Sequence, residues 1–122
     1  KFTSIDEEVL FKLNVKMMTN SYVDYQGDDA RKFSARHREY FHAEPNNIVN
    51  RAFDMAMYFI PLVDKERTNT LNVLRNTDSD GMFTRFRFRP VNAFGGLENR
   101  GLYLIHYDSK YNIKVTPLRG RE

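Results

Sequence analysis

The chain has 122 residues, 41% of them hydrophobic and 14% aromatic, with a formal net charge of +3 and no cysteine. That is enough for one globular domain. It excludes a disordered chain, a disulfide framework and a thiolate metal site. No run of 18 apolar residues occurs, which excludes a transmembrane helix, and the mild basic excess is too weak to argue for nucleic acid. The chain opens Lys-Phe-Thr-Ser with neither methionine nor a signal-like apolar segment. The expectation is therefore that it begins inside a longer gene product.

The first element reads as a helix. Ser4 and Glu7 form a capping box, Asp6, Glu7 and Glu8 suit the positive end of the helix dipole, and Ile5, Val9 and Leu10 make a short apolar stripe that ends near Lys12. Leu13, Val15 and Met17 then alternate with Asn14 and Lys16, the period of a strand. After a loop carrying Tyr22, Asp24 and Tyr25, Asp28 or Asp29 caps a second helix. Ala30, Phe33, His37, Tyr40 and Phe41 share one of its faces. Pro45 ends it, because the residue before a proline is pushed out of the α region.

Asn46 or Asn47 caps the third helix. Ala52, Met55, Ala56, Phe59 and Val63 lie on one face of it, and Ile48, Val49, Phe53, Met57 and Ile60 on another. A helix apolar on nearly every side cannot sit on a surface. Either the fold wraps around it or the chain is part of something larger, and the second is the expectation. Pro61 kinks it or marks its last turn. Asp64 to Asn69 is a polar linker, Thr70 caps a short helix that buries Leu71 and Leu74, and Asn76 to Gly81 is a turn. From Met82 the period becomes two. Phe86 and Phe88 point to a core, and Arg85, Arg87 and Arg89 point to water. Further strands at Gly101–Tyr107 and Tyr111–Val115 complete an antiparallel hairpin or meander.

Four groupings bear on chemistry. Phe83-Thr84-Arg85-Phe86-Arg87-Phe88-Arg89 could stack RNA bases, but a half-buried amphipathic strand gives the same string and is preferred. Asn76-x-Asp78-x-Asp80-Gly81 matches the first half of a calcium loop. The bidentate glutamate position, however, holds Arg87, so a polar turn is preferred. His37 and His42 lie five apart and His106 is remote, so they read as surface or satisfied core histidines. Asp54, amid Phe53, Met55 and Ala56, must face water, a cleft or a base, because burying it unpaired is costly; Arg51 could be that base. No serine–histidine–aspartate set, glycine-rich phosphate loop or zinc motif is present, and no residue pattern asks for a cofactor or metal. The expectation is a non-enzyme.

The order of elements resembles the last third of type I periplasmic binding proteins, the leucine-binding-protein-like receptors. The likeness rests on strand Leu13–Met18, the loop Tyr22-Val23-Asp24-Tyr25, helix Ala30–Phe41 with Lys32, His37, Tyr40 and Phe41, Glu44-Pro45, and the helix containing Ala52-Phe53-Asp54. Phe86-Arg87-Phe88 and Gly101-Leu102-Tyr103-Leu104-Ile105 look like that fold's closing strands. It is closest to the branch found with LysM peptidoglycan-binding modules and spans roughly residues 5 to 115. The resemblance implies an α/β fold, the carboxy-terminal portion of a periplasmic-binding domain with three to four helices, one lobe strand and a closing meander. It implies a periplasmic or envelope location and non-catalytic recognition of a small solute or peptidoglycan component, with Ile48 near a pocket wall and Arg51 and Asp54 beside the cleft. It also implies that an upstream segment, or self-association, covers the apolar helix. The alternative is a free-standing α+β module that binds a partner protein.

Overall fold

The structure, a computed structural model, describes residues 5–65 and 67–118. The fold is mixed α/β, with four helices and small antiparallel sheets among the described residues. The elements are α1 (Glu7–Lys12), β1 (Lys16–Thr19), α2 (Asp28–Phe41), α3 (Asn47–Lys65), α4 (Thr70–Asn76), β2 (Ser79–Asp80), β3 (Arg85–Phe86), β4 (Phe88–Pro90), β5 (Leu97–Asn99), β6 (Leu102–Tyr107) and β7 (Ile113–Leu118).

Helix ends follow local chemistry. Ser4 of the expected capping box lies outside the described residues; Asp6 caps α1, its carboxylate accepting the Glu8 N–H at 3.1 Å. Gly27, not an aspartate side chain, occupies the α2 cap, and Asp28 instead pairs with Arg31. His42 takes a left-handed conformation that ends α2 before Pro45. Asn46 accepts the Val49 N–H at 3.0 Å at the start of α3, and Pro61 is carried inside that helix. In α4, Leu74 is buried as expected, but Leu71 is exposed.

The three-stranded sheet has the order β1-β6-β7, with Met17 opposite Ile105 and Ile105 opposite Val115. The string from Phe83 to Arg89 is not one strand. β3 pairs back with β2, β4 pairs forward with β5, and the break falls at Arg87. Asn99 bridges the break: its side chain accepts the Arg87 N–H at 2.8 Å and donates to the Arg85 carbonyl at 2.7 Å.

The core is aromatic. Tyr58 stacks on Phe86 with ring centroids 4.3 Å apart, next to Phe59, Phe88 and Leu74. The Tyr58 hydroxyl donates to the Thr77 carbonyl at 2.7 Å, satisfying its one polar atom. Phe83 is 1% exposed and meets Phe33 edge-on at 5.6 Å.

Phe86 thus points inward as expected, but Arg85 does not point to water: it is only 6% exposed. Its guanidinium donates to the Leu102 and Leu118 carbonyls at 3.0 and 2.7 Å and to Asp80 at 3.0 Å, and it lies 5.7 Å from the centre of the Tyr103 ring. Arg87 pairs with Asp80 at 2.9 Å, and Arg89 with Asp78 at 2.8 Å. The two aspartates that resembled calcium ligands are therefore counterions of the arginine ladder. The Arg89 hydrogen bond and the neighbouring arginine charges hold the Asp78 carboxyl below its usual range. Partial burial opposes ionisation of Asp80, but bonds and charges from Arg85 and Arg87 outweigh it and lower that carboxyl too.

A carboxyl whose folded pKa is depressed contributes stability that is present above its unfolded value, about 3.9, and is lost as pH falls through the folded value. Urea midpoints should be flat near neutrality and fall as the pH drops below about 4. The Asp78→Asn/Asp80→Asn double variant should be less stable at pH 7 and show a shallower acid limb. An unchanged acid limb would mean that the ladder does not couple to folding.

Candidate functional site

Asp54 organises the region around the third helix. It is 3% exposed, and its carboxylate takes three backbone N–H groups: Met82 at 2.9 Å, Phe83 at 2.6 Å and Thr84 at 2.7 Å. These amides belong to the four-residue loop that closes the β2–β3 hairpin, where the Gly81 N–H also donates to the Thr84 carbonyl at 2.8 Å. Three donors converging on one carboxylate form an anion nest, here filled by the protein's own side chain. Gly81 is required by close approach, since a Cβ there would lie 2.8 Å from the Asp54 Cγ and Oδ2 atoms. The loop is gripped from its other side too: the Tyr22 N–H donates to the Phe83 carbonyl at 2.8 Å, and Ser21 bridges Thr84.

This corrects the expectation that Asp54 pairs with Arg51. Among the described residues Arg51 makes no ion pair; it lies exposed while Asp54 turns to the loop amides. The satisfying donors are backbone groups about thirty positions downstream, which the i, i+3 spacing could not reveal. Ile48, the expected pocket-wall residue, is 77% exposed. Ile48, Arg51 and Asp54 are therefore not gathered into one site.

The structure instead forms a cleft of about 620 Å³ between α2, α3 and the loop held by Asp54. Phe33, Phe53 and Met82 give it an apolar floor, and Asp29, Lys32, Arg36 and Glu39 stand at its rim. Among the described residues none of these four rim charges forms an ion pair or hydrogen bond within the protein. A second cleft of about 430 Å³ shares Asp29, Phe53 and Met82 and extends toward Met57 and Tyr58. An apolar floor with both signs of charge at the rim suits a small amphipathic or zwitterionic molecule. The α2 residues were legible as an amphipathic helix, but Met82 joins them through a loop held by Asp54 on one side and by Ser21 and Tyr22 on the other.

His37 and His106 are engaged locally, the first with the Ala43 carbonyl and the second with the Asn14 side chain, each at 2.7 Å. Among the described residues no group of three or more histidine, aspartate or glutamate side chains is placed to hold a metal, and no helix is long and apolar enough to cross a membrane. The arginines of the 83–89 string face carboxylates and carbonyls, and Phe86 is buried. Comparison with family models, curated proteins and solved structures found no match.

Removing the Asp54 carboxylate leaves buried amides of Phe83 and Thr84 without an acceptor. Asp54→Ala should lower stability by about 3–5 kcal/mol. Gly81→Ala should also destabilise, through contact with the carboxylate, and should lose part of its effect when combined with Asp54→Ala. Chemical denaturation of the three variants measures this. Additive effects, or a loss below about 1 kcal/mol for Asp54→Ala, would show that the nest is not holding the loop.

Proposed function

We propose that this chain is a non-catalytic recognition domain of a bacterial envelope protein, built on the plan of the carboxy-terminal part of type I periplasmic binding proteins, and that it binds a small solute or a cell-wall component. The carrying observation is the cleft of about 620 Å³, with its apolar floor of Phe33, Phe53 and Met82 and a rim of Asp29, Lys32, Arg36 and Glu39 that is unpaired among the described residues. The rim can take a carboxylate at Lys32 and Arg36 and an ammonium group at Asp29 or Glu39, and the floor can cover an apolar body. The order of α2, the Glu44-Pro45 turn, α3 and the closing antiparallel strands supports the family reading. β1, expected as a lobe strand, pairs antiparallel with β6 in the closing sheet instead.

A second reading, a protein-interaction module, is favoured by the outer face of α3. This helix turns Asn50, Asp54 and Tyr58 inward and leaves Ile48, Met55, Ile60 and Val63 exposed.

Titration of the labelled chain with a soluble muropeptide and with a set of small zwitterions, followed by amide chemical shifts, tests the first reading. Saturable shifts should centre on Phe33, Phe53 and Met82, and Arg36→Ala should weaken them about tenfold, the loss of one charge-assisted contact. No saturable shift up to about 10 mM would remove the recognition reading.

A further inference from the structure

The outer face of α3 is an uncharged stripe. Ala52 and Ala56 run down its middle, and the exposed Ile48, Met55, Ile60 and Val63 surround them, with the half-buried Phe59 at the edge that meets the core. Asp54 lies on the opposite side of the helix, held to the loop amides. Clasping Asp54 inward is what presents this stripe outward. At its carboxy-terminal end lies an apolar groove of about 680 Å³ lined by Phe59, Ile60, Val63, Asp64 and Arg67. At its amino-terminal end Ile48 projects, 77% exposed. The chain therefore carries a knob at one end of the stripe and a socket at the other.

We propose that this face pairs with a second copy of the chain, α3 against α3 in antiparallel orientation, about a two-fold axis near Ala56. Four features select this occupant. With the axis at Ala56, Ile60 falls opposite Ala52 of the second copy, a large side chain against a small one, and Val63 falls opposite Val49. The same register brings each Ile48 to the groove at Phe59, Ile60 and Val63 of the other copy. Between Ile48 and Val63 the stripe holds no charge that would match an acidic or basic partner. Finally, α3 from Ile48 to Asp64 is about 25 Å long, and pairing helices of that length buries roughly 400–600 Å² per copy, the low end for specific association and compatible with a micromolar dimer. An isologous contact of this kind closes on itself and stops at two copies.

The test uses the whole 122-residue chain in sedimentation equilibrium. The unmodified chain and Leu71→Glu, which changes an exposed apolar residue off the stripe, should both be dimeric at about 100 μM. Ala56→Glu places two carboxylates at the two-fold axis and should be monomeric, with an unchanged helical spectrum. Because the chain has no cysteine, Ala56→Cys offers a second readout: mild oxidation should yield a covalent dimer, while Leu71→Cys should cross-link at least tenfold more slowly. A monomeric unmodified chain at about 100 μM overturns the proposal, as does association that survives Ala56→Glu, or equal cross-linking of the two cysteine variants.

Discussion

One buried carboxylate determines how this chain is arranged. Asp54 sits in the middle of the longest helix and is bound by three successive amides of the β2–β3 loop. Burying an ion is tolerable only when hydrogen bonds replace its water, and three backbone donors supply that replacement. The exchange works in both directions, because a tight hairpin loop directs several N–H groups to one point and those groups also need an acceptor. The loop in turn carries Phe83 into contact with Phe33 and joins the segment after β1 through Tyr22. One side chain thus ties together α2, α3, the hairpin and the edge of the three-stranded sheet.

The orientation of α3 follows from this anchor. Asn50, Asp54 and Tyr58 lie one turn apart along the same side, so fixing Asp54 inward takes the other two with it. Tyr58 brings its ring onto Phe86 and its hydroxyl to Thr77. Asn50 is buried, and among the described residues its side-chain amide has no hydrogen-bond partner, an uncommon feature in a buried polar group. The remaining side of the helix is apolar and faces outward. The cleft beside α2 and the stripe of α3 are consequences of one rotation about one helix axis.

Much of the secondary structure was legible in the sequence. The helix stop at Pro45, the asparagine cap at Asn46, the strand at Met17 and the inward Phe86 all follow from local rules that act within a few residues. What escaped was set by partners far along the chain. Arg85 reads as a solvent-facing arginine in an alternating strand, yet it is buried because the Leu102 and Leu118 carbonyls and Asp80 take its donors. Asp54 was recognisable as a carboxylate needing a partner, but Arg51 was the only candidate within helical reach, and the actual donors lie in the 82–84 loop. The same distance hid the cleft: α2 and Phe53 declare themselves, whereas Met82 reaches them from a loop whose position long-range bonds to Asp54 and Tyr22 fix. Counting apolar faces on α3 suggested a fully buried helix, because periodicity weighs Ile48 and Met55 heavily and cannot see that two polar residues would be drawn inward.

Native-state hydrogen exchange at the loop amides tests the clasp most directly, since it reads those three donors without altering the protein. If the Asp54 carboxylate anchors the fold, the Phe83 and Thr84 amides should exchange only through global unfolding, with protection equal to that of the β6 core amide of Ile105 and the same denaturant dependence. Exchange of Phe83 and Thr84 at the rate of an open surface loop, while Ile105 stays protected, would contradict it.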